Sequence, residues 1–408
     1  MESGAQRFAA MWDELLDVGR DPATGGYRRF AWTDADHVLR EWFAQQAATR
    51  GMDLVEDRNG NQYAWWGDSE RSDAVLTGSH LDSVPDGGAY DGPLGVVSAF
   101  AAVDALRAAR VRPGRPLVVA NFSDEEGARF GIACAGSRLL TGSLDPGRAR
   151  ALRDRDGRTL DEVMRRAGRD PERLGPDHAL LDRIGSVVEL HVEQGRGLVD
   201  DGAPVGVASA IWPHGRWRFD FTGEANHAGT TVMDDRRDPM LTYAMTALAA
   251  AKQARLSGAR ATFGRIEVEP NGTNAIPSRV RAWLDARGRD DEAVADLVAT
   301  IGRQAAERAG RDGTRVEVET ESVTGSVQFD PALTARVRAT LGGAPELPTA
   351  AGHDAGVLAG YGLPAAMLFV RNPTGVSHSP EEYAEEADCL AGIEALTTVL
   401  TALVQVAT

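Results

Sequence analysis

Four segments of this chain place acids or histidines just after, or at the very end of, an apolar run. In GSHLDS, His80 and Asp82 follow the run Ala74–Ser79; in SDEEGARF, Glu125 and Glu126 follow Leu117–Ser123. ELHVEQG places His191 at the end of Ser186–Val192, and GVSHSPEE places His378 a short loop beyond Ala365–Val370. Asp91 sits in the Gly-rich turn GGAYDGPLG. A single histidine in a loop is usually a hydrogen-bonded surface residue, and an isolated Glu-Glu pair is usually solvated. Histidines and carboxylates converging from separate strand ends fit a metal centre instead. Two divalent ions need about one bridging carboxylate with N/O ligands on either side. Neighbouring acids such as Glu125 and Glu126 repel each other unless a cation lies between them or their roles diverge. Cys134 and Cys389 are the only cysteines and cannot build a thiolate site, so His and carboxylates must hold any metal.

Such a convergence needs a sheet. Short apolar runs alternate with helical patterns through the first half, the pattern of an α/β domain. Pro93 opens a helix running toward Arg110, with proline at a favoured first position. Thr33 is placed to cap a helix over Asp34–Arg50, with Gly51 as its stop. In an α/β sheet, ligands collect beyond the carboxyl ends of the strands. After about residue 208 the pattern changes. WRFDFTG reads as a strand, Arg237–Ala254 as a helix, ATFGRIEVEP and SRVRAWLDAR as strands, Asp291–Arg308 as a helix and TRVEVETES as a strand. That order is the split βαβ, ferredoxin-like arrangement. The fold expected is an α/β catalytic domain with a central mixed sheet, formed by residues 1–208 and 327–408, with a smaller α+β domain inserted at 209–326. The α/β pattern resumes with Ala365–Val370 and closes with a helix over Glu385–Ala407; Arg/Asp-rich Gly147–Gly175 reads as a solvated helical excursion.

Taken in order, GSHLDSVPDGGAYDGPLGV, FSDEEGARFG, ELHVEQG, GEANHAGTT, PNGTNAIPSRV with LDAR, AGHDA and SHSPEE span nearly the whole chain. With these motifs the sequence resembles the amidohydrolase branch of the co-catalytic metallopeptidase superfamily, which contains N-carbamoyl-L-amino acid hydrolases, allantoate amidohydrolases and β-ureidopropionases. The resemblance implies that His80, Asp91 and His191 hold one divalent ion, with Asp91 bridging to a second held by Glu126 and His378. Zinc or manganese leads among the metals, and cobalt or nickel also suits this donor set. Asp82 would accept from the free ring N–H of His80, and Glu125 would be the general base. His227 would stabilise the oxyanion in the partner subunit's site, making the protein a homodimer whose inserted domain serves dimerisation and acts as a lid. Arg287 would clamp the substrate carboxylate; Gln194 and Asn274 would hydrogen-bond the substrate, with His353 in support.

The implied reaction is cleavage of the ureido C–N bond of an N-carbamoyl-L-amino acid or an allantoate-like molecule, releasing ammonia. A metallopeptidase or deacylase of the same superfamily, acting on an N-acyl amino acid or dipeptide, is the alternative enzyme. Peptidase relatives carry an acid where His191 stands, which favours the amidase. A non-catalytic, metal-stabilised binding protein is the remaining alternative, and it has no use for Glu125. Two segments depart from the resemblance and leave the choice of substrate open: Thr349–Asp354 reads TAAGHD where relatives carry Ser-Gly-Ala-Gly-His-Asp, and Ile211–Trp217 is bulky at Trp212, Pro213 and His214.

Composition sets the outer bounds. With 408 residues, two domains are the natural expectation. A net charge of −16 repels phosphate backbones and anionic lipid, which argues against nucleic-acid and membrane partners. Two widely spaced cysteines fit a reducing cytoplasm. The segment MESGAQRFAAMWDELLDVGRD lacks the apolar core of a signal peptide, and no stretch approaches the roughly 20 apolar residues of a membrane span. The expected location is cytoplasmic.

Overall fold

The computed structural model describes residues 4–405; the first residues of the N-terminal segment, and Val406 and Ala407 of the expected closing helix, lie outside the described residues. The chain divides into two compact units, Met1–Ala210 with Gln328–Thr408, and Ile211–Val327.

The first unit is built on a mixed sheet. Its strands are β1 (Asp53–Glu56), β2 (Gln62–Trp66), β3 (Ala74–His80), β4 (Leu117–Phe122), β5 (Ile184–Val192), β6 (Val205–Ile211), β13 (Val327–Gln328), β14 (Glu346–Thr349) and β15 (Ala365–Val370). They lie in the order β1-β2-β4-β3-β5-β15-β6-β13, with β14 beside β6. The central pairs β4/β3, β3/β5 and β5/β15 are parallel, and the pairs β2/β4 and β15/β6 on either side are antiparallel. β3, β4 and β15 are buried at every position, as parallel strands covered on both faces must be. In register, His80 stands opposite Phe122, and His191 opposite Phe369, so the carboxyl ends of the four central strands share one edge.

Helices Pro93–Ala108 and Glu386–Val404 pack together over this sheet. The first is buried along most of its length because PLGVVSAFAAVDALRA has no polar face to speak of. Glu386–Val404 corrects the expectation that no stretch would be apolar enough to cross a membrane: an 18-residue window within its 19 residues has a mean hydropathy of 1.6. Its apolar content serves the core instead, with Leu396, Val399, Leu400 and Leu403 buried. Thr33 occupies the N-cap of helix Asp34–Thr49, although its hydroxyl donates to the Phe30 carbonyl. The Gly147–Gly175 excursion is helical but not merely solvated. Leu160, Val163 and Met164 pack with Phe130, Leu139 and Leu144 in a small core of their own.

The second unit carries a four-stranded antiparallel sheet in the order β12-β7-β11-β9, from β7 (His214–Thr222), β9 (Arg260–Glu269), β11 (Arg279–Arg287) and β12 (Arg315–Thr324). β7 alternates strictly: Trp217, Phe219 and Phe221 face helices Pro239–Ser257 and Asp291–Asp312, while Arg216, Arg218 and Asp220 face away. On the outer face Asp220 is gripped by Arg218 (2.9 Å), Arg279 (2.6 Å) and Arg281 (3.0 Å), which hold its carboxyl below the usual range against the opposing effect of burial. A two-residue ladder, β8 (Asn226–His227) with β10 (Ala275–Ile276), stands apart from this sheet.

Candidate metal centre

The strand ends and their loops bring two trios of side chains together: His80, Asp91 and His191, and Asp91, Glu126 and His378. Within each trio one ligand atom per residue lies within 4.8 Å of the others. Asp91 belongs to both, and its two oxygens divide the work. Oδ1 is 3.1 Å from His191 Nε2 and 3.6 Å from His80 Nε2. Oδ2 is 3.4 Å from His378 Nε2, which is in turn 3.6 Å from Glu126 Oε2.

The ring tautomers show what the first trio is built to hold. His80 Nδ1 lies 3.1 Å from the Asp82 carbonyl oxygen, and His191 Nδ1 lies 2.8 Å from that of Val192. Carbonyls only accept, so each Nδ1 carries its hydrogen, and each Nε2 of a neutral ring presents a lone pair to a carboxylate. Both Nε2 atoms, and Glu126 Oε1, are buried with no hydrogen-bond partner. Acceptors facing acceptors in a dry site require a cation or a proton between them. Accordingly, burial alone would lower the two histidines, yet the carboxylates around them raise both; Glu125 heads that effect at His80 and Asp91 at His191. Burial alone would raise Asp91, but His191, His378 and His80 hold it well below the carboxylate range. The donor set, nitrogen and oxygen with a shared carboxylate, therefore fits a pair of divalent ions.

Local backbone makes this packing possible. Gly92 adopts φ +88°, and a Cβ there would stand 2.4–2.7 Å from three atoms of the His80 ring. Only glycine meets both demands. The Asp82 carboxylate, expected to accept from the free ring N–H of His80, has its Oδ1 3.6 Å from Nδ1, farther than the Asp82 carbonyl at 3.1 Å, and its charge helps raise the ring. That carboxylate accepts instead from the backbone N–H groups of Glu125 (3.1 Å) and Glu126 (3.0 Å), so it orders the acid pair, while its carbonyl orients the ring.

Glu125 stands beside the trios and joins neither. Its Oε2 is 3.7 Å from His80 Nε2, and Oε1 accepts from the Cys134 thiol at 3.1 Å. Burial first, with the nearby acids adding to it, pushes its carboxyl well above the usual range. Burial and Asp91 raise Glu126 to about 7. Gln194 Nε2 donates to Asp91 Oδ2 at 2.8 Å, which places this expected substrate residue against a metal ligand. The His353 ring packs 4.5 Å from that of His191. Beneath them, Asp354 accepts from Ser137 at 2.5 Å and is raised to about 8 by burial and Glu189. Sequence reasoning gave no site role to Cys134, Ser137, Glu189, Asp354, Ser377 or Glu382. The motif SHSPEE contained the one readable sign, an acid a helical turn past His378.

The remaining candidates lie in the second unit. His227 lies on the β8/β10 ladder and Asn274 in the turn just before β10, where its carbonyl accepts the Ala228 N–H at 3.0 Å; both are exposed. His227 Nδ1 accepts the backbone N–H groups of Gly229 (3.0 Å) and Thr230 (3.2 Å), so in the neutral ring the hydrogen resides on Nε2. Arg287 ends β11, where Asp285 grips its guanidinium edge at 2.7 and 3.1 Å. Eight residue steps of extended strand, about 27 Å, separate Arg287 from the β11 end that adjoins the ladder.

The pattern of Peptidase family M20/M25/M40 matches residues 76–402. The chain belongs to this family. The proteins this chain is similar to include amidohydrolases. An N-carbamoyl-L-amino acid amidohydrolase of Geobacillus stearothermophilus is 36% identical, over 95% of this chain and 96% of that protein. An allantoate amidohydrolase of Bacillus subtilis is 32% identical, over 93% of each. Among solved structures, an amidase of the hydantoinase/carbamoylase family from Burkholderia vietnamiensis superposes with a TM-score of 0.89 at 30% identity, covering 98% of this chain and 97% of that one. This member of the family is accordingly an amidohydrolase, a hydrolase of C–N bonds, with the mixed α/β fold that the motifs implied.

Proposed function

We propose that the chain cleaves the ureido or carbamoyl C–N bond of an N-carbamoyl-L-amino acid or an allantoate-like substrate and releases ammonia. Two divalent ions, zinc or manganese foremost, are held by His80, Asp91 and His191 and by Asp91, Glu126 and His378. One observation carries the reading: Asp91 is split between two trios while a buried glutamate, Glu125, stands beside them without belonging to either. The names of the relatives support the substrate class.

When bound, the ions supply Lewis acidity to water and to the scissile carbonyl. Glu125 takes a proton from the attacking water and returns it to the departing nitrogen. Asp82, through the amides of Glu125 and Glu126, keeps that acid in place. His227 offers its Nε2–H to the developing oxyanion, its tautomer set by the two amides on Nδ1. Asn274 hydrogen-bonds the substrate from the turn beside that ladder, and Gln194 does so from beside Asp91. Arg287 receives the substrate carboxylate, for which a guanidinium fork is shaped; His353 backs His191.

The active form is a homodimer in which His227 and Asn274 serve the partner subunit's site. The strand length between Arg287 and the ladder supports this, because one small substrate does not span about 27 Å. Exposed Leu241, Met245, Leu248 and Leu256 along one helix offer an apolar stripe for a second copy. Residues 209–326 act as the dimerisation and lid domain. Free, buried Cys134 and Cys389 suit a reducing cytoplasm.

The test is an ammonia-release screen of Mn²⁺- or Zn²⁺-loaded protein against allantoate and a panel of N-carbamoyl-L-amino acids, with Glu125→Gln alongside. The wild type should release ammonia from at least one substrate. Glu125→Gln should keep both ions and lose about 10²–10⁴-fold in rate. Release of a carboxylic acid from N-acyl amino acids without ammonia from any ureido compound would make the enzyme a deacylase. Metal loss in Glu125→Gln would make Glu125 a ligand.

A further inference from the structure

We propose that Glu382 is a positioning residue for Asp91, holding the shared carboxylate between the two trios by gripping the backbone that carries it. The inference rests on the two-cation reading above. Glu382 is 4% exposed. Its Oε1 accepts the backbone N–H groups of both Tyr90 and Asp91, each at 2.9 Å. Its Oε2 accepts the Ser377 hydroxyl at 2.9 Å, and that hydroxyl oxygen is also 3.3 Å from Asp91 Oδ2. Ser377 adjoins His378. A single carboxylate thus ties the turn bearing Asp91 to the turn bearing His378, across 292 residues of chain.

A second observation is steric. A Cβ on Gly88 would stand 2.3 Å from Glu382 Cβ and 2.5 Å from its Oε1. The backbone of Gly88 is not left-handed, so its conformation does not call for glycine; room for Glu382 does. The turn GGAYDG therefore admits the acid that fixes its own aspartate.

The grip depends on acceptor geometry more than on charge. A glutamine keeps Oε1 for the two amides and can donate from Nε2 to the Ser377 oxygen. An alanine strands the Tyr90 and Asp91 N–H groups and leaves the Ser377 hydroxyl only its longer contact with Asp91 Oδ2. Residues that orient metal ligands commonly alter affinity about 10–100-fold when removed. Because Asp91 is common to both trios, both ions should weaken together. A general loosening of the fold would lower the melting temperature without that paired loss.

The experiment is isothermal titration of the metal-stripped full chain with MnCl₂, paired with thermal melts of the same stripped proteins. Wild type should take up two Mn²⁺ per chain. Glu382→Ala should weaken both about 10–100-fold, and Glu382→Gln should stay within about threefold of wild type. Gly88→Ala, which displaces Glu382 without altering its chemistry, should follow the alanine variant. If Glu382→Ala does not fold, Gly88→Ala against Glu382→Gln decides in the same way. Wild-type affinity in the alanine variants, or equal losses in Glu382→Gln and Glu382→Ala, would overturn the proposal. A wild-type chain that bound no Mn²⁺ would overturn the two-cation reading beneath it.

Discussion

Gly92 offers the sharpest perturbation of the centre, because it touches a ligand without being one. In Gly92→Ala the new methyl would lie 2.4 Å from the nearest atom of the His80 ring, against an ordinary contact of 3.4 Å or more, so the ring must retreat by about 1 Å. His80 is fully buried at the end of β3 and held at Nδ1 by the Asp82 carbonyl, so the retreat cannot be absorbed by a free rotation. A misplacement of about 1 Å in an active site costs on the order of 10²-fold in rate, and disturbed ligand orientation costs about 10–100-fold in metal affinity. The left-handed backbone adds about 1–2 kcal/mol of strain. Gly157→Ala isolates that last contribution, since Gly157 has φ +81° and nothing within 4 Å of the added methyl. In urea melts of the stripped protein Gly157→Ala should lose only that strain, and Gly92→Ala should lose more, by the clash with the His80 ring. Only Gly92→Ala should lose metal, measured by elemental analysis after dialysis. Full metal occupancy and near-wild-type turnover in Gly92→Ala would refute the placement of His80 as a ligand.

Two further predictions concern the second unit. Mixing Glu125→Gln chains with His227→Ala chains, each inactive alone, should restore up to about a quarter of wild-type activity in a statistical mixture of dimers, in which half the dimers are mixed and each of those keeps one intact site; no recovery despite demonstrated subunit exchange would require a site complete within one chain. Asp220→Asn should lower stability by about 1–3 kcal/mol at neutral pH, because hydrogen bonds from three arginines lose their charged acceptor. The sign follows from its lowered carboxyl: the stabilisation is complete above the ordinary value of 3.8 and lost as pH falls through the lower folded value. Urea melts of variant and wild type should therefore differ at pH 7 and draw together as pH falls below the ordinary carboxyl value of 3.8; a gap independent of pH would assign the loss to packing.

How much could be read from the sequence depended on whether the signal was local. Ala365–Val370 was expected as a strand and is one with the same limits, because six apolar residues between turns can hardly be anything else in an α/β chain. His80, Glu126, His191 and His378 could be singled out because each follows or ends such a run. β1 was not legible: Leu54 and Val55 are both largely exposed, so neither alternation nor a buried run marks it. Orientation was not legible either. The spacing of His80 and Asp82 placed them together but could not say that the carbonyl, not the carboxylate, meets the ring. Contacts such as Cys134 with Glu125, or Glu382 with the Asp91 amide, join residues whose separation carries no periodic signature. They exist only once the sheet has gathered its loops.

The two halves of the proposed centre differ in their access to water, since His80 and His191 are sealed in while the His378 side chain is 49% exposed. An ion bound between His80 and His191 would be shielded from solvent, whereas one bound at His378 would be within reach of water and competing chelators. Starved of metal, the enzyme would empty from the outside inward and pass through a singly loaded form. The supply of one weakly guarded ion, rather than the amount of protein, would then set how much activity the enzyme can show.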